Sequence, residues 1–466
     1  MVIGILKTQV YGYSCRMTNE LEQRIGSWIA KLGIGLCLFG VSFESVAGDW
    51  PHWRGPFFNG SSDETNLPTS WSKSDSVAWT VDLPGPSAAT PIVWGDKVFI
   101  STTDAGEQTL DAMALDRKSG KVLWQHKIAD AFAKDRLSNY ASPSPTTDGK
   151  TVVFFYGNGD LVAFDFSGQK LWARNLQTDY GDFAFLFTFS SSPTLIDGRL
   201  YMQVLQRDVP VGGRGRKDGP IESFLLALDA TTGKTIWKQT RPTEAVAESH
   251  EAYSTPIPIL AEGRRELVIA GGDCLTGHAL DTGKELWRWG TWNPKRFSHW
   301  RLVPSSVTGA DVILVCAPKG APVYAVRTGG SGVLDQSWVQ WTSESHREVS
   351  SDVPTPLFYM GDFFILNDLR GMLSRVDPKT GKPKWTVSLP GRAKYEASPT
   401  GASGRIYTVN FRGDVAVLDA NTGETLANVP MGDGDEDRIR SSVAIAHGQL
   451  FIRTNKRLYA VAARTP

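Results

Sequence analysis

Eight side chains with acidic, basic or phenolic groups stand a few residues before a recurring dipeptide of Ser or Thr followed by Pro or Val. If they converge, their carboxylate, guanidinium and phenol groups could bind a polar ligand or a cation. The alternative, that they are rim residues forming solvated ion pairs, stays open. The candidates are Tyr140, Glu251, Tyr253, Arg301, Asp352, Glu396, Arg438 and Arg440.

A second candidate set lies in one short stretch that is dense in aromatic and cationic residues. Trp, Phe and Arg often anchor protein interfaces, and aromatic rings also stack on sugars. The stretch therefore predicts a patch that binds a protein or a glycan partner. The alternative is that the rings fold back as a plug, which would bury them. The patch consists of Trp292, Phe297, Trp300 and Arg301.

Motifs for metal binding or covalent catalysis are absent from the sequence, which has no HExxH, paired CxxC or CxxCH. After residue 47 the only cysteines are Cys274 and Cys316. Buried free thiols are expected there, with a disulfide bridge as the alternative. The sequence predicts neither a catalytic residue nor a metal site.

The elements that must position these residues are repeated β-hairpins, and the clearest copy is ALDATTGKTIW at 227–237. Asp229 can accept hydrogen bonds from the turn, Gly233 can adopt positive φ, and Trp237 adds a wide indole to the returning strand. We expect these residue types to be scaffold. Further copies are ALDRKSGKVLW (114–124), AFDFSGQKLW (163–172), ALDTGKELW (279–287), RVDPKTGKPKW (375–385) and VLDANTGETLA (417–427).

The Ser/Thr dipeptides form a second repeat in step with the hairpins. Their spacing ranges from 43 residues (355 to 398) to 63 residues (192 to 255), a period typical of repeat architectures. One inner strand, a second strand after a Gly turn and the hairpin pair make four antiparallel strands, which is a propeller blade. The sequence thus predicts an all-β, eight-bladed β-propeller. The dipeptides begin at Thr90, Ser142, Ser192, Thr255, Ser306, Thr355, Ser398 and Ser442.

Closure of the ring is predicted at the chain termini. The last repeat supplies three strands, and residues 76–83 carry Trp79 at the hairpin-indole position. This N-terminal strand should therefore complete the last blade and remove two open sheet edges.

The hairpin pattern Ala-x-Asp-x-x-Thr-Gly-x-x-x-Trp resembles the blade signature of the pyrroloquinoline-quinone-type repeat propellers. The resemblance covers residues 76–466 and implies the quinoprotein alcohol dehydrogenase-like fold. It also implies two alternative functions. One is a non-catalytic binding or assembly scaffold, similar in architecture to the BamB-like propellers. The other is a quinoprotein dehydrogenase with pyrroloquinoline quinone and calcium at the channel mouth.

The scaffold is the function we expect from the sequence. Many alcohol-oxidising members of the family carry an adjacent Cys-Cys pair, which is missing here. The calcium ligands of that class cannot be matched residue by residue, although Glu251 and Asp352 are conceivable. We therefore expect no cofactor, with the quinone and calcium as the alternative.

Charge and the N-terminal segment bear on location. Lys plus Arg and Asp plus Glu both total 49, so no bulk field favours nucleic acid. Residues 1–47 resemble a signal peptide, because Arg24 and Lys31 precede an apolar run and Ala47 ends a cleavage site. Export to the periplasm or the exterior follows, with no stable membrane span after cleavage. An uncleaved anchor and a start at Met17 stay open.

Two further segments are distinguished by composition. Residues 48–75 are rich in Pro, Gly and aromatic residues, and we expect an extension packed on the propeller at 76–466. The Gly- and Arg-rich stretch 206–220 is expected to be a mobile insertion in the third blade.

Overall fold

The computed structural model describes residues 48–132, 135 and 138–463, so the predicted signal peptide lies outside the described residues. The described residues form eight sheets of antiparallel strands, one of which carries an added parallel strand, and the innermost strands of neighbouring sheets contact each other around a central channel. The predicted all-β, eight-bladed propeller is confirmed.

The strands of the first four blades run from the innermost to the outermost in the following order. Blade 1 contains Ile92–Trp94, Lys97–Asp104, Thr109–Asp116 and Val122–Ala129. Blade 2 contains Thr146–Thr147, Thr151–Phe155, Asp160–Asp165 and Lys170–Asn175. Blade 3 contains Thr194–Ile196, Arg199–Val204, Phe224–Asp229 and Thr235–Thr240. Blade 4 contains Ile257–Ala261, Arg264–Gly271, Cys274–Ala279 and Glu285–Gly290, with Gly332–Leu334 added in parallel outside them.

The last four blades follow the same order. Blade 5 contains Val307–Gly309, Val312–Cys316, Val323–Arg327 and Val339–Thr342. Blade 6 contains Leu357–Tyr359, Asp362–Asn367, Met372–Val376 and Pro383–Ser388. Blade 7 contains Thr400–Ala402, Arg405–Val409, Asp414–Asp419 and Thr425–Pro430. Blade 8 contains Ala444–Ala446, Gln449–Arg453, Arg457–Ala462 and the N-terminal strand Val77–Asp82.

Helical structure among the described residues is confined to connections. One α-helix spans Leu176–Tyr180, and two 3₁₀ turns span Ala247–His250 and Gln336–Trp338. No helix of the described part has the length and apolar character needed to cross a bilayer.

The N-terminal strand closes the ring as predicted. Val77–Asp82 pairs antiparallel with Arg457–Ala462, so the first and last parts of the propeller share blade 8. Trp79 is buried, and its indole N–H donates to the backbone oxygen of Arg117 in blade 1 at 2.7 Å.

The hairpin repeat owes its pattern to contacts between neighbouring blades. Asp229 accepts hydrogen bonds from the hydroxyls and the turn N–H groups of Thr231 and Thr232, and these bonds, the hydroxyl bonds foremost, hold the pKa of its carboxyl below the usual value. Gly233 has φ +69°, and a Cβ there would lie 2.6 Å from the Trp172 ring of the preceding blade. The turn glycine is therefore required for its conformation and also for the space it leaves.

The same indole-on-glycine contact joins most blades. A Cβ on the turn glycine would lie within 3.0 Å of the preceding blade's indole in every case, so these residues are scaffold as expected. The pairs are Trp79 and Gly120, Trp124 and Gly168, Trp172 and Gly233, Trp237 and Gly283, Trp341 and Gly381, and Trp385 and Gly423.

Two details of the predicted repeat need correction. In blade 4, the Gly283 N–H donates to Ala279, whereas the corresponding acceptor in blade 3 is Asp229, so Ala279 rather than Asp281 holds the turn position. In blade 5, the inter-blade indole is Trp341, which the predicted repeat did not include. Residues 328–338 separate Trp341 from the preceding strand of the blade, Val323–Arg327, so the usual spacing of the motif is lost.

Residues 48–75 lie along the ends of the inner strands, away from the dipeptide markers. Trp50 exchanges two backbone hydrogen bonds with Val93 in blade 1, and the Ser62 N–H donates to Gly401 in blade 7. Glu64 accepts from the Gly448 N–H in blade 8. Trp50 and Trp71 are buried, whereas Phe57 is exposed. The extension thus ties together blades on both sides of the closure.

The Gly- and Arg-rich insertion begins later than predicted. Gln206 is buried and accepts the Ala184 N–H, and Arg207 forms an ion pair with Glu251, so both belong to the packed structure. Most of residues 208–220 are exposed. Mobility of that shorter segment stays a prediction.

Candidate functional site at the channel mouth

A ring of hydroxyl groups surrounds the channel where the inner strands begin. In seven of the eight steps, a backbone N–H of one blade donates to a Ser or Thr hydroxyl of the next. Because each bond joins two blades, the ring fixes the channel wall. The donor and acceptor pairs are Thr90 to Ser144, Ser144 to Ser192, Ser192 to Thr255, Thr255 to Ser305, Ser305 to Thr355, Thr355 to Ser398, and Ser442 to Thr90.

The Ser/Thr repeat exists because its hydroxyls form these hydrogen bonds between blades. Two residues predicted to belong to it need correction. Ser144 and Ser305 occupy the ring, where Ser142 and Ser306 were expected. Ser142 instead donates its hydroxyl to the backbone oxygen of Asn139 at 2.7 Å. The inner strand of blade 2 starts only at Thr146, which moves the ring position two residues along the chain.

A cavity of about 340 Å³ lies inside this ring, and we call it the mouth cavity. It is lined by ring hydroxyls, by three aromatic side chains and by a set of charged groups. Trp53 of the N-terminal extension reaches it from the opposite end of the channel. The charged and aromatic lining consists of Trp53, Phe187, Tyr253, Arg301, Asp352, Lys394, Glu396 and Arg440.

Five of the eight sequence candidates line the mouth cavity: Tyr253, Arg301, Asp352, Glu396 and Arg440. The other three do not reach it. Tyr140 and Arg438 line neighbouring depressions, and Glu251 is fully buried beside the cavity wall. Sequence reasoning missed Trp53, Phe187 and Lys394 as lining residues. Only Lys394 carried a local signal, because it stands two residues before Glu396.

The charged groups on one side of the mouth cavity are paired with each other. Glu396 accepts from Lys394 and from Arg440, both at 2.6 Å. Lys394 also lies 3.1 Å from Asp368, which is fully buried as a side chain. Asp352 accepts the Lys319 N–H at 2.7 Å, and its own N–H donates to Asp368 at 2.9 Å. These contacts form a connected network whose carboxylates all have donors.

The opposite side is organised around the buried carboxylate of Glu251. It accepts from the Tyr253 hydroxyl at 2.6 Å, from the Leu186 N–H at 3.1 Å and from Arg207. Burial raises the pKa of Glu251, against the lowering effect of these donors. Burial and the neighbouring Glu251 charge raise the pKa of Tyr253 well above its usual value. The phenol therefore stays protonated and acts as a donor.

Arg301 links the mouth cavity to the aromatic stretch that follows blade 4. Its guanidinium lies 2.7 Å from Glu248 and 4.7 Å from the centre of the Phe187 ring. Both contacts hold the side chain at the cavity wall.

The aromatic stretch is divided between core and surface. Phe297 is 39% exposed and Trp300 is half-buried, with their ring centres 5.0 Å apart. Trp292 is only 2% exposed and packs near Trp289 in the core beside blade 4. The prediction that Trp292 belongs to an accessible patch is therefore wrong. The connection from blade 4 to blade 5 first turns inward at Trp292 and reaches the surface only later. We call Phe297 and Trp300 the aromatic patch.

Buried polar groups hold the aromatic patch in place. The Asn293 amide bonds the N–H and the carbonyl of Phe297, both at 2.9 Å, and also donates to Asp273 at 2.9 Å. The Trp300 N–H donates to the Ser249 hydroxyl at 2.9 Å. Burial raises the pKa of Asp273 to about 7, although Asn293 and Arg296 oppose the rise.

The mouth cavity does not fit a calcium ion. Calcium takes six to eight oxygen ligands, usually with several carboxylates. Here the carboxylates of Glu251 and Glu396 already accept from cationic side chains. Within residues 48–132, 135 and 138–463, no group of three or more His, Cys, Asp or Glu side chains could hold a metal. The ring hydroxyls and the paired charges instead suit a polar ligand.

The two cysteines are free and buried, and they lie in different blades. Burial, with the charge of Asp368, raises the pKa of the Cys316 thiol well above its usual value, which makes it a poor nucleophile. The Cys274 sulfur lies 3.2 Å from Arg241 and 3.3 Å from Arg288. The thiols are therefore part of the packed blades.

An eight-bladed ring whose indoles stack on turn glycines defines the class of pyrroloquinoline-quinone-type repeat propellers. A family profile described as outer membrane protein assembly factor BamB matches residues 61–209 and 221–465, and the chain belongs to this family. The gap between the two matches falls inside the Gly- and Arg-rich insertion. The resemblance inferred from the hairpin motifs is thus confirmed.

The individual relatives include two kinds of protein. The chain is 25% identical to the outer membrane protein assembly factor BamB of Bordetella pertussis over 369 residues, covering 77% of this chain and 80% of that protein. It is 24% identical to a polyvinylalcohol dehydrogenase of Sphingopyxis sp. over 340 residues, covering 67% and 46%. The chain spans about half or less of the length of the dehydrogenases it matches over more than 100 residues.

Solved structures agree on the fold. A europium-containing methanol dehydrogenase aligns with a TM-score of 0.63 at 12% identity, covering 89% of this chain and 98% of that one. BamB from Moraxella catarrhalis aligns with a TM-score of 0.56 at 12% identity, covering 82% and 98%. At these identities the likeness concerns the fold alone.

Proposed function

We propose that this protein is an exported, non-catalytic propeller that acts as a binding or assembly scaffold for a protein partner. The observation that carries the proposal is the contrast at the channel mouth. The carboxylates that a metal-dependent catalyst would need are neutralised by Lys and Arg, whereas Phe297 and Trp300 are held at the surface by a rigid network. Family membership supports it, because an assembly factor gives the family its description.

The aromatic patch has the composition of a binding hot spot. Aromatic anchors concentrate binding energy, and a pre-ordered surface loses little conformational entropy on association. Asn293 and Ser249 order this surface before any partner arrives. Arg296 and His299 stand at its edge and add polar contacts of the kind found at interface rims.

The test compares the wild type with a Phe297→Ala/Trp300→Ala variant in affinity capture from an extract of the native cells. The variant should lose the captured partner by more than about thirtyfold in affinity, since truncated anchors typically cost ~2 kcal/mol or more. Phe57→Ala is the matched control, because Phe57 is 38% exposed but lies in the extension. Equal capture by all three proteins would refute the proposed patch. Retention on a glycan array, lost in the same variant, would assign a glycan partner.

A second candidate function, a quinoprotein dehydrogenase, is favoured by one observation. The mouth cavity brings together Trp53, Arg301 and Arg440, whose ring and positive charges could hold a flat anionic quinone. Bound pyrroloquinoline quinone would supply the redox chemistry. Titration of the purified protein with the quinone, with and without calcium, tests this candidate. Tight binding that depends on calcium would replace the scaffold proposal.

Export is proposed from the signal-like segment at residues 1–47. Mass spectrometry of the purified native protein should find an N-terminus near Gly48. Retention of residues 32–43 would instead indicate a membrane anchor.

A further inference from the structure

A second cavity, of about 460 Å³, opens between blades 5 and 6, and we call it the blade 5–6 pocket. Three cationic side chains line it, namely Lys319, Arg347 and Arg370, and the only carboxylate among its lining residues is that of Glu344. Leu369 adds an apolar wall and is 51% exposed. The pocket therefore combines an excess of positive charge with an accessible apolar surface.

Buried polar side chains fix the backbone of the pocket walls. The Asn367 amide donates to the carbonyls of Arg347 and Glu348 at 3.3 and 3.1 Å, and its oxygen accepts the Arg370 N–H at 3.1 Å. The Ser343 hydroxyl donates to the Val349 carbonyl at 2.6 Å. The cationic side chains therefore project from a backbone that is already ordered, which lowers the entropic cost of binding.

The cations of the pocket differ from those at the channel mouth in having no partner of opposite charge. Across the part of the chain that the structure describes, the side chains of Lys319, Arg347 and Arg370 make no hydrogen bond and no ion pair. Asp352, which lies nearby, accepts only the backbone N–H of Lys319. A charge cluster without internal partners can pair with an anion without first breaking an existing bond.

We propose that the blade 5–6 pocket binds a carboxylate-bearing segment of a protein partner. Arg347 and Arg370 supply the forked donors that suit carboxylates, and Leu369 with Ala321 and Pro322 can receive an apolar side chain beside the acidic one. The volume lies within the ~300–1,000 Å³ range of ligand sites, which is room for a few side chains. The inference rests on the proposed function in that its ligand belongs to a protein partner, but it uses no residue of the aromatic patch.

The experiment measures binding of fluorescein-labelled hexapeptides to the full chain by anisotropy at low salt. The alternating Glu-Leu peptide should bind, and an alternating Lys-Leu peptide should not. Arg347→Gln/Arg370→Gln should weaken the Glu-Leu peptide about tenfold or more, because two charge-assisted contacts are lost. Lys170→Gln/Lys234→Gln removes the same charge from exposed positions on blades 2 and 3 and should leave binding unchanged.

Several results would overturn the proposal. The proposal is wrong if the wild type does not bind the Glu-Leu peptide. It is also wrong if both charge variants weaken peptide binding equally, because that result would indicate a nonspecific charge effect. Citrate that displaces the peptide at a lower concentration than the peptide's own dissociation constant would assign a small polycarboxylate instead. The Phe297→Ala/Trp300→Ala variant should still bind the peptide. If that variant loses partner capture but still binds the peptide, the aromatic patch and the blade 5–6 pocket act independently. Failure of the proposal for one site can then be told from failure of the proposal for the other.

Discussion

The mouth cavity and the blade 5–6 pocket contain the same kinds of charged side chain in opposite states. At the mouth, Glu396 lies between Lys394 and Arg440, and the charges neutralise each other. In the pocket, Arg347 and Arg370 face solvent without an acidic partner. Residue type alone therefore did not identify the surface whose charge is available for a ligand, because the available charge depends on which oppositely charged groups lie within contact distance.

The aromatic residues between blades 4 and 5 repeat this contrast within one connection. Trp292 fills the core, whereas Trp300, eight residues later, lies at the surface. One stabilises the propeller, and the other belongs to the proposed binding surface.

The largest expected effect is that of Trp292→Ala, which should lower the free energy of unfolding by roughly 3–5 kcal/mol, because it removes a buried indole. Trp300→Ala should lower it by less than about 1 kcal/mol, since its ring is already partly solvated. Urea denaturation monitored by circular dichroism measures both. Similar losses for the two variants would place Trp300 in the core as well.

A smaller effect is expected for Glu396→Gln, which leaves Lys394 and Arg440 without their shared carboxylate. We expect a loss of about 1–3 kcal/mol, because a partly buried charge loses its partner. Glu344→Gln, at the exposed carboxylate of the blade 5–6 pocket, is the matched control and should stay within about 0.5 kcal/mol. If the control is the more destabilising of the two, the distinction between paired and unpaired regions is wrong.

Asp273 should make the stability of the aromatic patch depend on pH. Its pKa is raised to about 7 in the folded protein, above the ordinary value of 3.8, so its contribution to stability is present at low pH. That contribution is lost as the pH rises through about 7, because the ionised carboxylate is poorly solvated. Asp273→Asn should remove this dependence. Urea midpoints at pH 5, 7 and 8.5 provide the measurement, and parallel curves for wild type and variant would contradict it.

The smallest effect on stability is expected for Arg347→Gln/Arg370→Gln. Exposed side chains without partners contribute little, so the free energy of unfolding should change by no more than about 0.5 kcal/mol. The thermal melting curve of this variant measures the change. A drop of several degrees would show that the two arginines have a structural role, and their use as a ligand site would then need revision.

Much of the fold followed from local chemistry. A turn that needs a side-chain acceptor, a positive-φ glycine and an indole repeats along the chain, and this repeat together with the eight Ser/Thr dipeptides sufficed to predict eight blades. The terminal strand with Trp79 sufficed to predict closure. The repeat did not predict two details of the fold. Residues 328–338 interrupt the pattern before Trp341, and the blade 4 turn has Ala279 where the other copies of the hairpin motif have Asp.

The candidate site was predicted only in part, because the channel is built from segments far apart in the sequence. The Ser/Thr repeat located the ring to within two residues, and five of eight candidates reach the mouth cavity. Trp53 could not be foreseen, since it enters the channel from the N-terminal extension.

The number of blades, the ring closure and the loops that carry polar and aromatic residues follow from the sequence alone, because these features depend on short motifs with local physical causes. The packing of the blades against one another governs which charges are neutralised, which indole is buried and where a cationic pocket stays open. Those outcomes depend on distances between blades, and residues such as Asp352 and Lys319, 33 positions apart, meet only when blades 5 and 6 pack side by side.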